Sequence, residues 1–366
     1  MKKFNPLNVS SKILICAMPL RVDSYRECTF GCHYCFATKR EVLGNLSNVQ
    51  IGDINYVKNK LKKIYIDKKV IPHNILDNLL KNRTTWHYGG MSDPFCHFEK
   101  KFNITQQIVD IANEYKIKFL FSTKSDTTYN VNINPELHSF QLSVSSVDNP
   151  VHLEKNVPPI ADRKKFYDKL KKEGFKVSIR IQPFIPNLTD DRIIDMFPDA
   201  DHFSIEGIKL VPQNLEYVEK MCKLLNIDRK RFKNKGLLHL TPAERMQMYN
   251  PVIEKIKKYN LSYSIADNDL RFMSTDFNCC GDKMAKGTGI DTTAMIKKYG
   301  FDYPTEKLIE ELEGVGLADC NINHLFASNR AKNKRTLREY ANNYKKNPKS
   351  PISANKYQIR QQKLDF

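Results

Sequence analysis

Cys28-Thr29-Phe30-Gly31-Cys32-His33-Tyr34-Cys35 is the stretch whose reading decides the fold of this 366-residue chain. Its three thiols stand at the spacing C-x3-C-x2-C, on a short loop that contains a glycine and follows an apolar run. Sulfurs so arranged can converge on one face of an iron–sulfur cube, whose irons take thiolate ligands, and three ligands leave the fourth iron open to a small chelating molecule. A structural zinc site is the competing reading, because a compact cysteine set outside a disulfide framework commonly binds metal. Zinc takes four ligands, normally as two pairs. No second C-x2-C pair exists here, so His33 or the distant Cys279-Cys280 would have to complete the set.

Nine cysteines is an odd number, and three are committed to one loop, which argues against a disulfide framework and for a reducing compartment. The first residues are polar, the apolar run 13–20 is short and lacks a cleavage site, and no run reaches the roughly 18 apolar residues of a membrane span. A soluble, cytoplasmic protein with no membrane partner is expected. At this length, 41% hydrophobic residues can build one large α/β domain with an appendix, or two domains. Lys+Arg exceed Asp+Glu by 59 to 41, a net charge of +18, and half of that excess lies in residues 327–366, with 11 Lys/Arg against 2 acids. Such a balance attracts polyanions, and the basic tail reads either as a solvated surface or as a nucleic-acid arm.

Outward from the loop, β-branched and apolar runs alternate with helical patterns. Strands are expected at 13–24, 84–88, 118–122, 140–144, 175–181 and 203–210, with a further one at 261–265. Helices are expected at 57–66, 106–115 and 162–173, the last stopped at Gly174, and a short helix is capped by Thr189-Asp190-Asp191. Thr241-Pro242-Ala243-Glu244 is a capping box with proline at the first helical position, so a helix should run from there to about residue 259. This alternation implies a parallel sheet with right-handed crossovers. Six units give a partial (β/α)6 TIM-type barrel over 1–275, followed by a C-terminal extension over 276–326 that contains Cys279, Cys280 and several glycines, and by the basic tail 327–366. The cysteine loop then sits at the C-terminal end of the first strand, where such folds place their chemistry.

At this spacing, with aromatic Tyr34 just before the third cysteine, the loop resembles the signature of the radical S-adenosylmethionine (SAM) enzymes. The resemblance implies a [4Fe–4S] cluster on Cys28, Cys32 and Cys35 whose open iron holds the amino and carboxylate groups of SAM. It implies reductive cleavage of SAM to a 5'-deoxyadenosyl radical, and a reducing partner of flavodoxin or ferredoxin type. Further motifs are similar, in order, to those of spore photoproduct lyase and its photolyase-like relatives: Gly89-Gly90, Ser92-Asp93-Pro94-Phe95 with Glu99, Thr123-Lys124-Ser125, Leu142-Ser143-Val144-Ser145, Leu153-Glu154, Pro158-Pro159, Arg163, Gly174 and Arg180. That likeness covers about residues 20–190. It implies that the Gly89-Gly90 backbone, Ser92, Lys124, Ser143, Ser145 and Arg180 seat SAM, with the lysine toward the carboxylate. Arg180 stands in an apolar strand, so it either points into the barrel mouth or pairs with an acid.

The chain departs from the lyase pattern where that family carries a tyrosine after the third cysteine and a hydrogen-donating cysteine at the second strand exit, since Phe36 and Gly90 occupy these places. Repair of thymine dimers by the same thiol–tyrosine relay is therefore not expected. Cys96, Tyr34, Cys279 and Cys280 are the remaining catalytic candidates, with ordinary packing as the alternative for each thiol. The function implied is hydrogen abstraction from a nucleic-acid base, in repair or modification. Action on a peptide, protein or small metabolite, or a non-enzymatic zinc or iron–sulfur module, are the alternatives.

Overall fold

The computed structural model describes the chain except for residues 11, 15, 36, 38–48, 149, 235, 277, 282–294, 296, 297, 301, 302, 323–335 and 343–366. Phe36, the glycine-rich stretch to residue 289 and most of the basic tail therefore lie outside the described residues.

Seven parallel strands carry the fold. β3 (Leu20–Val22), β5 (Trp86–Tyr88), β6 (Phe119–Thr123), β7 (His138–Ser143), β8 (Lys176–Phe184), β9 (Phe203–Gly207) and β12 (Tyr263–Ile265) lie side by side in that order, β2 (Leu7–Val9) closes the β3 edge antiparallel, and β1 (Lys2–Phe4) pairs with β4 (Gln50–Gly52) in a separate two-stranded sheet. The α/β partial barrel read from the sequence is observed, with the stretch near 261–265 supplying a seventh parallel strand. Successive side chains of a strand point to opposite faces. On β5, β6 and β7 one set, Trp86, Tyr88, Phe119, Phe121 and Phe140, forms a run of ring contacts 5.2–5.7 Å apart. This face packs under helices: Phe166 of α5 (Ile160–Lys172) meets Phe140 at 6.1 Å, and Ile108 and Val109 of α4 (Ile104–Glu114) belong to the same core. The alternate set on these strands, His87, Ser122 and Gln141, is polar and buried on the opposite, barrel-interior face.

Helix starts follow local capping chemistry. Asn74 accepts the N–H of Asp77 ahead of α2 (Ile75–Lys81), and Asn214 accepts that of Tyr217 ahead of α7 (Leu215–Leu225). The predicted capping box is present at α8 (Pro242–Lys258): Thr241 Oγ1 accepts from Glu244 N, and Glu244 Oε2 accepts from Thr241 N at 2.9 Å. Helix α1 (Ile54–Leu61) continues as a π-helical turn over Lys62–Ile66.

Several boundaries differ from the sequence reading. The first parallel strand is only Leu20–Val22; residues 12–14 form a turn, and Ile13 and Leu14 are apolar because the turn itself is buried. β8 runs through Pro183 to Phe184 instead of stopping at residue 181. A register shift against β9 between Ile181 and Phe184 absorbs the missing N–H, the usual lodging of proline in a strand. β9 ends at Gly207, and Leu210 instead bridges to Leu238, beside the hairpin of β10 (Lys233–Asn234) and β11 (Leu238–His239). Toward the C-terminus, helix Thr305–Gly314 and the turn after it return to α2, with Asn82 Nδ2 donating to the Val315 carbonyl at 2.8 Å. Among the described residues, no helix is long and apolar enough to cross a membrane.

Candidate active site

The cysteine loop follows β3 and is laid along residues 153–156. Cys32 bridges Glu154 in β fashion, His33 N donates to the Leu153 carbonyl at 2.8 Å, and Asn156 N donates to the Phe30 carbonyl at 3.0 Å. Gly31, at φ +63°, makes the turn. Cys28, Cys32 and Cys35 are half-buried.

The strand ends around this loop supply the rest. After β5, Gly89 has φ +94°, and a Cβ there would lie 2.5 Å from the Ser122 carbonyl oxygen, so only glycine fits. Asp93 Oδ1 accepts from Thr123 Oγ1 at 2.8 Å and its Oδ2 from the Lys124 backbone N at 2.7 Å, which fixes the exit of β6. Lys124 Nζ donates to Glu154 Oε1 at 2.9 Å and to Ser145 Oγ at 3.3 Å, and stands 5.5 Å from the Tyr34 ring centre. The Tyr34 hydroxyl donates to the same Glu154 oxygen, and Arg163 Nη2 is 3.5 Å from the other. Burial alone would raise the Glu154 carboxyl; Lys124 and Arg163 outweigh it and hold the group below the ordinary carboxylate range. Burial pushes the Cys32 thiol up to about 12, against the pull of Lys124.

The structure thus brings Cys32, Tyr34, Lys124 and Ser145 together. Ser143, at the end of β7, is buried nearby, and its carbonyl accepts from Arg163 Nη1 at 2.7 Å. Ser92 is buried with its hydroxyl on the Tyr25 carbonyl at 2.7 Å. Cys96, just before the short helix α3 (His97–Phe102), is fully buried beside Cys28, and the interaction of the two thiols lowers Cys96 from the ordinary thiol range and raises Cys28 above it. Sequence reasoning did not single out Asp93 or Glu154 as site residues. Their role depends on partners 30 residues away along the chain, which local patterns do not reveal.

Arg180, Cys279 and Cys280 belong to a different layer. Arg180 Nε donates to Gln182 Oε1 at 2.6 Å, and its Nη1 reaches Ser122 Oγ at 3.3 Å and Gln141 Oε1 at 3.5 Å; it pairs with no acid among the described residues. Gln141 Nε2 donates to the Cys279 carbonyl at 3.1 Å. Cys280 packs with Ala17, Met18 and Leu120, its sulfur 4.0 Å from that of Cys279. The thiol of Cys280 and the guanidinium groups of Arg271, Arg180 and Arg21 hold Cys279 well below the ordinary thiol range, whereas Cys280 is pushed up by its neighbour.

As the side chains stand, no three His, Cys, Asp or Glu among the described residues are gathered closely enough to hold a metal ion. The chemistry of the donors nevertheless suits an iron–sulfur cluster, with three cysteines on one loop and an ammonium group close to Cys32.

No family model matches the chain, and no curated protein sequence matches it. Solved structures do share its fold. Two single-substitution mutants of spore photoproduct lyase superpose with a TM-score of 0.53 at 14% identity, over 68% of this chain and 76% of theirs. A double mutant of that lyase with bound AdoMet and dinucleoside spore photoproduct gives 0.52 at 13% identity over the same shares. The resemblance carried by the motifs of residues 28–180 therefore extends to the backbone.

Proposed function

We propose that this chain is a radical SAM enzyme that acts on a nucleic-acid base. The observation that carries the reading is the C-x3-C-x2-C loop at the C-terminal end of the first parallel strand of a partial barrel, with Lys124 beside Cys32. Bound to Cys28, Cys32 and Cys35, a [4Fe–4S] cluster with SAM on its open iron would supply the electron and the radical precursor. The chain's own residues would hold the reactants. Lys124 offers its ammonium to the SAM carboxylate, Ser143 and Ser145 offer hydroxyls from the β7 exit, and the Gly89-Gly90 backbone offers close approach. Glu154 keeps the lysine aimed while no cofactor carboxylate competes for it. Tyr34, hydrogen-bonded to Glu154, holds the acid of that pair in place.

The nucleic-acid substrate is supported by the +18 charge and the basic residues after 327. A base inside a strand would be extruded to reach the barrel mouth. One observation favours a second reading: Cys96 beside Cys28 offers a fourth sulfur, and four thiols make a closed zinc site.

Anaerobic purification decides between the two. The expected result is a brown, iron-containing protein that forms 5'-deoxyadenosine from SAM with dithionite, and whose retention on nucleic acid falls steeply with salt. A colourless zinc protein would end the enzymatic reading. Turnover of SAM with indifference to nucleic acid would move the substrate to a peptide, protein or small metabolite.

A further inference from the structure

The interiors of (β/α) barrels are ordinarily filled with apolar side chains, and one layer of this barrel is not. Arg21 on β3 donates through Nη1 to His87 Nδ1 on β5. His87 Nε2 is 2.7 Å from Ser122 Oγ on β6, which donates onward to Gln141 Oε1 on β7 at 3.1 Å and accepts from Arg180 Nη1 on β8 at 3.3 Å. An imidazole that accepts at Nδ1 and donates at Nε2 is neutral. Two guanidinium groups are therefore joined across an uncharged bridge.

Neither has a carboxylate partner among the described residues. Arg180 spends Nε on Gln182, and Arg21 spends Nη2 on Cys16 Sγ at 3.3 Å. Asp23, the acid that bears on Arg21, commits Oδ1 to the backbone N–H groups of Met91 and Ser92. The negative charge that bears on them comes from the Cys279 sulfur and, for Arg21, from Asp23, but neither guanidinium fork has a bidentate oxyanion partner among the described residues, and such forks are normally completed by one. Both arginines are half-buried residues. Gly90, at the exit of β5, puts no side chain over Arg21, where a Cβ would lie 3.6 Å from its Cδ.

We infer that this layer seats an oxyanion of the substrate, and that the substrate is recognised as a phosphate-bearing nucleotide unit and not as a free base. The inference rests on the nucleic-acid reading above and names what that substrate presents to the barrel. Guanidinium forks match the geometry of phosphate oxygens bidentately. The polar bridge through His87 and Ser122 holds the two forks in place without neutralising them. The SAM carboxylate is the other oxyanion that could occupy the layer.

The full chain, tested both with and without iron, is titrated calorimetrically with thymidylyl-thymidine and with thymidine, using inorganic phosphate as competitor. The dinucleoside phosphate is expected to bind at least about tenfold more tightly than thymidine, with inorganic phosphate competing. R180Q and R21Q are each expected to bring the dinucleoside's affinity down to that of thymidine, and R180K to retain part of the difference. Equal affinities for the two ligands, or a difference that survives in both glutamine variants, overturns the inference. So does a result in which R180Q weakens SAM binding tenfold and leaves the phosphate preference intact, because the oxyanion is then the cofactor's. Should R180Q fail to give a cooperative melt, R21Q and R180K carry the test. Phosphate preference needs no iron and 5'-deoxyadenosine formation needs no phosphate, so failure of this inference and failure of the enzymatic reading are seen separately.

Discussion

Two layers of this barrel treat buried charge in opposite ways. At the strand exits, half-buried Lys124 and buried Arg163 converge on the buried acid Glu154, so that each cation faces a carboxylate oxygen. One layer inward, Arg21 and Arg180 are held by His87, Ser122, Gln141 and Gln182, all neutral. The first arrangement gives each cation a carboxylate within the protein, one that Lys124 can exchange for a bound one. The second offers its guanidinium forks no carboxylate ion pair among the described residues, and that difference separates the two layers more clearly than their residue types.

The largest expected effect breaks the compensated layer. Glu154→Gln leaves a buried ammonium and guanidinium facing each other without their acid, which should cost about 3 kcal/mol or more in urea unfolding. Arg180→Gln removes a cation that has no acid to lose, and should be neutral or slightly stabilising without ligand. Equal losses in the two variants would erase the distinction between the layers.

The glycines between the layers come next. Gly89→Ala places a Cβ against the Ser122 carbonyl at a left-handed φ and should cost about 1–3 kcal/mol. Gly90→Ala meets only ordinary contacts and should stay within about 0.5 kcal/mol, while covering Arg21. Thermal melts of the pair check both.

The dependence on pH should differ in sign. Burial raises the Asp23 carboxyl from its ordinary value to about 6. The folded state therefore holds this proton more tightly than the unfolded chain, and the group's contribution is lost as pH rises from about 4 to 6, on the order of 2 kcal/mol. Glu154 is held low, so its contribution is present above the unfolded carboxyl range and is lost as pH falls through the folded value. Asp23→Asn should flatten the decline between pH 4 and 6, and an unchanged slope would show that Asp23 does not titrate there.

Much of this was legible in the sequence. The aromatic run at 118–122 and the β-branched run at 175–181 gave strands, and the capping box at Thr241 gave a helix start, because these signals act within a few residues. The run 13–20 misled because burial of Ile13 and Leu14 in a turn leaves the same apolar trace as a strand. Glu154 and Asp93 were visible in the motifs but without a role, because what makes them site residues is contact with Lys124 and Thr123 across the fold. Cys96 was visible as a thiol, but its place beside Cys28 was not. Arg21 could have been found by the argument applied to Arg180, since it too is a charge flanked by apolar residues within a strand.

The claim on which the rest depends is a cluster with one iron left open beside Lys124. Electron paramagnetic resonance of the anaerobically reconstituted, dithionite-reduced protein, recorded before and after addition of SAM, tests it most directly. The account predicts a reduced [4Fe–4S] signal whose shape changes when SAM is added, and which is absent from the Cys28→Ala, Cys32→Ala and Cys35→Ala variants. A protein that takes up zinc in place of iron, or a cluster signal indifferent to SAM that becomes responsive only in Cys96→Ala, would contradict it.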